Sequence, residues 1–231
     1  MPPTRPPRII LPARDEAARI GRVIEALRAV VPEAELWVID GGSQDETAMI
    51  ARAAGATVRA QGGRGYSNAV LEGLVAAHQD QVPATVLMDA DGQHPPAAVP
   101  RLLAAVGAHD WVVASRDGTR SPGPLRRKLG NHALRWVVAG LTGQRFGDLT
   151  SGMQAFGPRA LAVFAGRADD GVADANLRVL AARAGLRTAE LPVQMDIREG
   201  GRSMHDGLAG LANLGKTLRA CVAASTQPVP G

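Results

Sequence analysis

Asp89-Ala90-Asp91 stands at the end of the apolar run Ala84-Thr85-Val86-Leu87-Met88 and is followed by Gly92-Gln93-His94-Pro95-Pro96. Two carboxylates, one residue apart, stop a buried strand and face a loop. Carboxylates are costly to bring near a core unless something positive meets them. A hard divalent cation carrying phosphates meets that need, because Mg²⁺ takes one or two carboxylates and completes its shell with substrate oxygens. A strand end closed by Asx turns is the alternative, since Asp favours such turns in any context.

The pair is not isolated. Asp40-Gly41-Gly42-Ser43 follows the apolar Leu36-Trp37-Val38-Ile39, and the glycine loop Gly62-Gly63-Arg64-Gly65 follows Thr57-Val58-Arg59-Ala60. The glycine loop fits a dinucleotide fingerprint poorly. Gly63-x-Gly65-x-x is completed by Asn68, and the loop follows the third strand, whereas that fingerprint follows the first. A Walker phosphate loop is absent, and so is a Gly-x-Ser-x-Gly nucleophile elbow. The histidines (His78, His94, His109, His132, His205) lack zinc-site spacing, and only His94 stands beside the carboxylate pair.

The elements that must position these clusters alternate. Arg8 to Leu11 reads as a first strand closed by Pro12, and Ile20, Val23, Ile24, Leu27, Val30 and Val31 have helical spacing. Ser43-x-x-Glu46 reads as a capping box opening a helix that Gly55 ends. A helix through Val70, Leu71, Leu74 and Val75 precedes the strand that ends at Asp89. Pro96 to Val106 reads as the next helix and Trp111 to Ala114 as the fifth strand. Beyond residue 116 come a helical segment near 125–141, a helix near 173–184, a strand over 187–195 with Pro192 at an edge or bulge, and a last helix. Strands alternating with helices predict an α/β fold, a mostly parallel central sheet with helices on both faces. Ligands on such sheets sit beyond the carboxyl ends of the strands. The three polar clusters fall at those ends and describe a nucleotide site.

Composition narrows the class. The chain has 231 residues, enough for one large domain or two small ones, and aromatics make up only 3%, so Ala, Val and Leu must fill the core. No apolar run reaches the roughly 18–20 residues of a membrane span. Residues 1–8 lack the apolar core of a signal peptide. The one cysteine, Cys221, excludes a disulfide or a cysteine-rich zinc site, and a cytoplasmic protein is expected. The net charge of +4 is local: Arg116, Arg120, Arg126, Arg127, Lys128, Arg135 and Arg145 face one acid, Asp117. Such a stretch suits phosphates, an anionic membrane face or a solvated helix face. Nucleic acid fits less well, because stacking aromatics are scarce.

The chain resembles family 2 glycosyltransferases with the GT-A fold, most closely the dolichol-phosphate mannose synthase and polyprenyl-phosphate glycosyltransferase branch. Leu11-Pro12-Ala13-Arg14-Asp15-Glu16 and Val38-Ile39-Asp40-Gly41-Gly42-Ser43-Gln44-Asp45 are similar to its opening segments. Asp89 to Pro96 is similar to its metal-binding segment. Asp148-x-x-Ser151-Gly152-x-x-Ala155-Phe156 and Arg198-x-x-Gly201-x-Ser203 are similar to its later motifs. The resemblance covers about residues 8–215.

It implies a single catalytic domain over 9–223, with a nucleotide-sugar half (9–116), an acceptor half (117–223) and tails at 1–8 and 224–231. Pro12, Ala13, Glu16 and Asp40, with Gly42 and Gly65 at the same edge, would hold base and ribose. Asp89, Asp91 and Gln93 would hold Mg²⁺ or Mn²⁺ and the sugar diphosphate. Arg116, Arg127, Arg198 and Arg202 are candidates for phosphate contacts in catalysis. Arg14, Asp15, Gly41, Asn176 and Met204 depart from the family's usual residues.

The implied reaction is inverting transfer of a hexose from GDP-mannose or a UDP-sugar to a polyprenyl phosphate. It would run at the cytosolic membrane face, touched peripherally by a chain lacking its own anchor. A hydroxyl acceptor would need a base, for which Asp148 and Asp174 are candidates. A soluble small-molecule or peptide acceptor, or a nucleotide-binding module without turnover, are the rival readings.

Overall fold

Every residue of β1, Arg8–Ala13, is buried. Its side chains alternate between two cores. Ile9, Leu11 and Ala13 join one hydrophobic cluster and Ile10 the other. This is the pattern of a strand covered on both faces. Pro12 does not close β1, as its sequence position suggests. The strand runs through it to Ala13, paired with β2 (Glu35–Asp40) along its whole length. On the other side β4 (Thr85–Leu87) pairs only as far as Ile10, whose carbonyl accepts the Met88 N–H at 3.0 Å. Pro12, two residues on, faces the side that β4 has already left, so its missing N–H breaks no ladder bond.

The computed structural model describes residues 5–116, 125–144, 146–149, 151–166, 174–194 and 208–226. Among them, β3 (Thr57–Ala60), β5 (Trp111–Arg116), β6 (Gln154–Phe156) and β7 (Thr188–Val193) complete a seven-stranded sheet of order β3-β2-β1-β4-β6-β5-β7. β6 is antiparallel to both neighbours, and the other pairings are parallel. Pro192 lies on the edge strand β7, where its lost donor is tolerated.

Helices α1 (Ala17–Val30) and α4 (Val99–Val106) cover one face through Ile20, Ile24, Leu27, Val99 and Leu102. Helices α3 (Tyr66–Gln79), α6 (Pro158–Ala165) and α7 (Asp174–Arg183) cover the other through Val70, Leu74, Leu161, Phe164 and Leu180. A third cluster joins α5 (Leu125–Thr142), α7 and α8 (Leu208–Thr226) around Leu134, Val138, Val179 and Cys221. Burial there pushes the Cys221 thiol up to about 11.

Two local readings change. Ser43 and Glu46 form no capping box. Helix α2 (Thr47–Ala53) is instead opened by Asp45, whose Oδ1 accepts the Thr47 N–H at 3.0 Å. Strand β6 and helix α6 lie where the sequence shows only a motif, because a three-residue strand carries too little periodicity to read. Trp111, Phe156 and Phe164 are gathered into one cluster with ring centroids 5.2–6.2 Å apart. The Trp111 indole N–H donates to Gln154 Oε1 at 3.1 Å.

Asp110, buried just before β5, ties the two halves of the second face together. It accepts from the Arg187 N–H at 2.8 Å, Arg187 Nη2 at 3.1 Å and Arg159 Nη1 at 3.0 Å. The Arg187 side-chain hydrogen bond outweighs burial and, with the Arg187 amide and the Arg159 charge, holds the Asp110 carboxyl below its ordinary value. Because the folded value is depressed, this stabilisation is complete above the unfolded value near 4 and is lost as pH falls through the folded one. Asp110→Asn is expected to lower stability by about 1–2 kcal/mol at neutral pH, the exposed arginines' share being screened. In urea unfolding, the gap between the two proteins should narrow below about pH 4. A gap independent of pH would contradict the assignment.

Candidate functional site

The parallel strands bring the carboxyl ends of β1, β2, β3 and β4 to one edge of the sheet. Here the turns after β1 and β2 are knitted together. Asp15 adopts the left-handed region (φ 56), which short polar side chains tolerate. Its Oδ1 accepts the Gln44 N–H at 2.8 Å, and its own N–H donates to Ser43 Oγ at 3.1 Å. Thr47 Oγ1 accepts the Glu16 N–H at 2.8 Å, and Asp45 Oδ2 accepts the Ala17 N–H at 3.1 Å. Asp45 thus serves the amino ends of both α1 and α2, and the Thr47 hydroxyl bond holds its carboxyl below the usual range. Asp15, one of the departures from the family pattern, joins two turns by a bond that an Asn oxygen could equally make.

On this shelf Pro12 and Ala13 are buried and contribute wall and backbone. The Ala13 carbonyl accepts the Gly41 N–H at 2.9 Å. Asp40, half-buried at the end of β2, uses Oδ1 to accept from Ser43 N at 3.2 Å and from the Ser43 hydroxyl. Gly42 is exposed, and Glu16 pairs with Arg19 at 3.0 Å.

The glycine loop is held from outside. The Glu72 carboxylate accepts the Gly62 and Gly63 N–H groups at 3.0–3.1 Å, and Gln61 Nε2 donates to the Gly65 carbonyl at 2.7 Å. Two of the loop's N–H groups are therefore already met by an anion, which removes the loop as a dinucleotide phosphate cradle. Gly65, at φ 87, turns the chain into α3 and delivers Tyr66 to the site.

Asp89 meets the other wall. Tyr66 Oη donates to its Oδ1 at 2.7 Å. His94 Nδ1 lies 3.8 Å from its Oδ2, and among the described residues this buried nitrogen has no hydrogen-bond partner. Gly152 closes the far side: a Cβ there would stand 2.6 Å from Asp89 Cγ, so the carboxylate packs where only glycine leaves room. Asp91 Oδ1 accepts the Gln93 N–H at 3.0 Å.

The donor set fits a hard divalent cation. Two carboxylates and an amide share one loop, and a buried imidazole nitrogen stands beside them. Among the described residues no group of three or more His, Cys, Asp or Glu could hold a metal by itself. An ion at Asp89 and Asp91 would draw further oxygens from a ligand, as Mg²⁺ does with phosphates.

The loop bearing Gly152 is fixed from the second half. Glu190 accepts the Gly147 N–H at 2.9–3.0 Å and the Asp148 N–H at 3.3 Å. Arg178, only 2% exposed, donates to the Asp148 carbonyl and lies over the Trp111 and Phe146 rings at 4.5 and 5.0 Å. Asp148 and Asn176 are buried. Of Arg116, Arg127 and Asp174 only the backbone is described. Arg198 and Arg202 lie outside the described residues. Sequence reasoning missed Tyr66, Glu72, Arg178 and Glu190. Tyr66 carried one signal, being the chain's only tyrosine and standing directly after the glycine loop.

The sequence profile of glycosyl transferase family 2 matches residues 8–164. The chain is 30% identical over 187 residues to glycosyltransferase AglJ of Haloferax volcanii, covering 80% of this chain but 61% of that protein's length. It is 30% identical over 219 residues to undecaprenyl-phosphate mannosyltransferase of Micrococcus luteus, covering 88% of this chain and 89% of that one. Its fold matches glucosyl-3-phosphoglycerate synthase of Mycobacterium tuberculosis, crystallised with Mn²⁺, UDP and phosphoglyceric acid. The TM-score is 0.71 at 21% identity, over 97% of this chain and 80% of that one.

Gly152→Ala tests the packing at Asp89. The added methyl is expected to push the carboxylate off Tyr66 and to remove any Mn²⁺-dependent thermal stabilisation by UDP or GDP. Thermal shifts equal to those of the unsubstituted protein would contradict it.

Proposed function

The chain belongs to glycosyl transferase family 2, and from that membership we propose that it moves a hexose from a nucleoside-diphosphate sugar to a polyprenyl phosphate, with inversion and with Mg²⁺ or Mn²⁺. One observation carries the donor side: Asp89 and Asp91 follow the carboxyl end of β4, on the same sheet edge as Asp40 and the Gly62–Gly65 loop. Asp40, Glu16, Gly42 and Gly65, with Pro12 and Ala13 as wall, hold base and ribose. Asp89, Asp91 and Gln93 hold the cation and the diphosphate. When bound, the cation supplies Lewis-acid stabilisation to the charge that builds on the leaving diphosphate. Arg116, Arg127, Arg198 and Arg202 are proposed to add positive charge around the phosphates, where fixed charges act most strongly as the site dries.

A phosphate acceptor is anionic and nucleophilic at neutral pH, so the reaction needs cations to position it rather than a general base. The basic composition of 116–145 suits that acceptor, as does the likeness to the Micrococcus luteus enzyme. Among the described residues no helix is long and apolar enough to cross a membrane. Helix α5 turns Leu134 and Val138 inward, while Trp136 is 69% and Leu141 37% exposed beside the exposed Arg135. The exposed side of the helix, with Trp136 and Leu141, supports peripheral contact with an anionic membrane surface.

A soluble phosphorylated acceptor is the second reading. It shares the phosphate, and the phosphoglyceric acid bound to the Mycobacterium tuberculosis enzyme motivates it. The purified protein, given Mn²⁺ and either GDP-mannose or UDP-glucose, is expected to yield an organic-extractable lipid-linked sugar with a polyprenyl phosphate and no product with 3-phosphoglycerate. The opposite pattern would replace the lipid by the soluble acceptor. Asp91→Ala is expected to abolish metal-dependent donor binding, read by thermal shift, and donor binding that survives it would count against the enzyme reading.

A further inference from the structure

We propose that Tyr66 is a positioning residue whose hydroxyl holds Asp89 in the one orientation that receives the divalent cation. The inference rests on the reading of Asp89 and Asp91 as the carboxylates that hold that cation. Asp89 retains 29% side-chain exposure, so burial alone does not set its torsion. Two contacts restrain it from opposite sides. Tyr66 Oη donates to Oδ1 at 2.7 Å, and the bare Cα of Gly152 lies against the other oxygen.

The tyrosine is itself held. Its ring packs against the core cluster that contains Ile10, Val70 and Leu87, so its hydroxyl is presented from a fixed base. Ring and hydroxyl therefore have separable tasks. Phenylalanine would keep the packing and lose the bond to Asp89. A ligand whose rotamer is fixed before the ion arrives loses less freedom on binding, and the outer hydrogen bonds of metal ligands act in this way.

Tyr66 is the first residue of α3 and directly follows Gly65, whose carbonyl is tied to Gln61. The bond that orients Asp89 therefore starts next to the glycine loop, which Glu72 and Gln61 hold independently of it.

Because Tyr66 is the only tyrosine, protein carrying ring-¹³C tyrosine gives a single ζ-carbon resonance that reports its hydroxyl. Asp89→Asn is expected to shift that resonance, and an unmoved resonance would overturn the contact. Mn²⁺ affinity is then read by electron paramagnetic resonance in the presence of UDP and, separately, of GDP. Tyr66→Phe is expected to weaken Mn²⁺ binding by about tenfold or more, with metal-free nucleotide affinity and the urea midpoint nearly unchanged. Binding of Mn²⁺ by Tyr66→Phe as tight as in the unsubstituted protein, or tighter, overturns the proposal alone. Failure of the unsubstituted protein to bind Mn²⁺ with either nucleotide defeats the metal reading itself, and this inference with it.

Discussion

An ionised carboxylate at the mouth of a buried parallel strand needs donors around it and nothing apolar in its path, and the surroundings of Asp89 satisfy both conditions. One donor comes from the first turn of α3, the open space comes from a glycine in the segment leading into β6, and a buried imidazole stands beside the second oxygen. The tyrosine and the glycine reach Asp89 from stretches far apart in sequence, while His94 stands in the same loop. They meet only because β4 lies between β1 and β6 in the sheet. The sheet order is therefore what assembles the site, and the antiparallel β6 is the piece that brings the Ser151-Gly152 turn against the metal loop.

The second half of the chain stiffens that turn. Arg178 is buried between aromatic rings and donates to a loop carbonyl, while Glu190 accepts two loop N–H groups. A buried cation near a carboxylate is weak evidence for stability, because desolvation offsets much of the attraction. Its effect here is geometric. Arg178 from α7 and Glu190 from the edge strand β7 together fix residues 146–148, and with them the approach to Gly152.

How much of this was legible depends on the kind of signal. Apolar runs ending in Asp40 and Asp89 showed two strand ends and their shared edge, because buried parallel strands read as continuous hydrophobic segments. The alternation of strands and helices showed the layers. Short-range punctuation misled in two places. Pro12 reads as a strand end, yet it sits where the neighbouring strand has already stopped. Ser43 and Glu46 have capping-box spacing, yet Asp45 caps the helix while Ser43 serves Asp40 and Asp15. Tyr66, Glu72 and Glu190 act on partners 9 to 43 residues away, and no local pattern records such contacts.

On the proposed function, the carboxyl edge of β1, β2 and β4 binds a nucleoside diphosphate through a divalent cation at the Asp89–Asp91 loop. Anomalous diffraction from crystals grown with Mn²⁺ and UDP or GDP tests it most directly. A manganese peak bonded to a carboxylate oxygen of that loop and to the diphosphate is expected, with the nucleoside lying along Asp40 and Ala13. Nucleotide bound elsewhere, or manganese bound away from both aspartates, would contradict it.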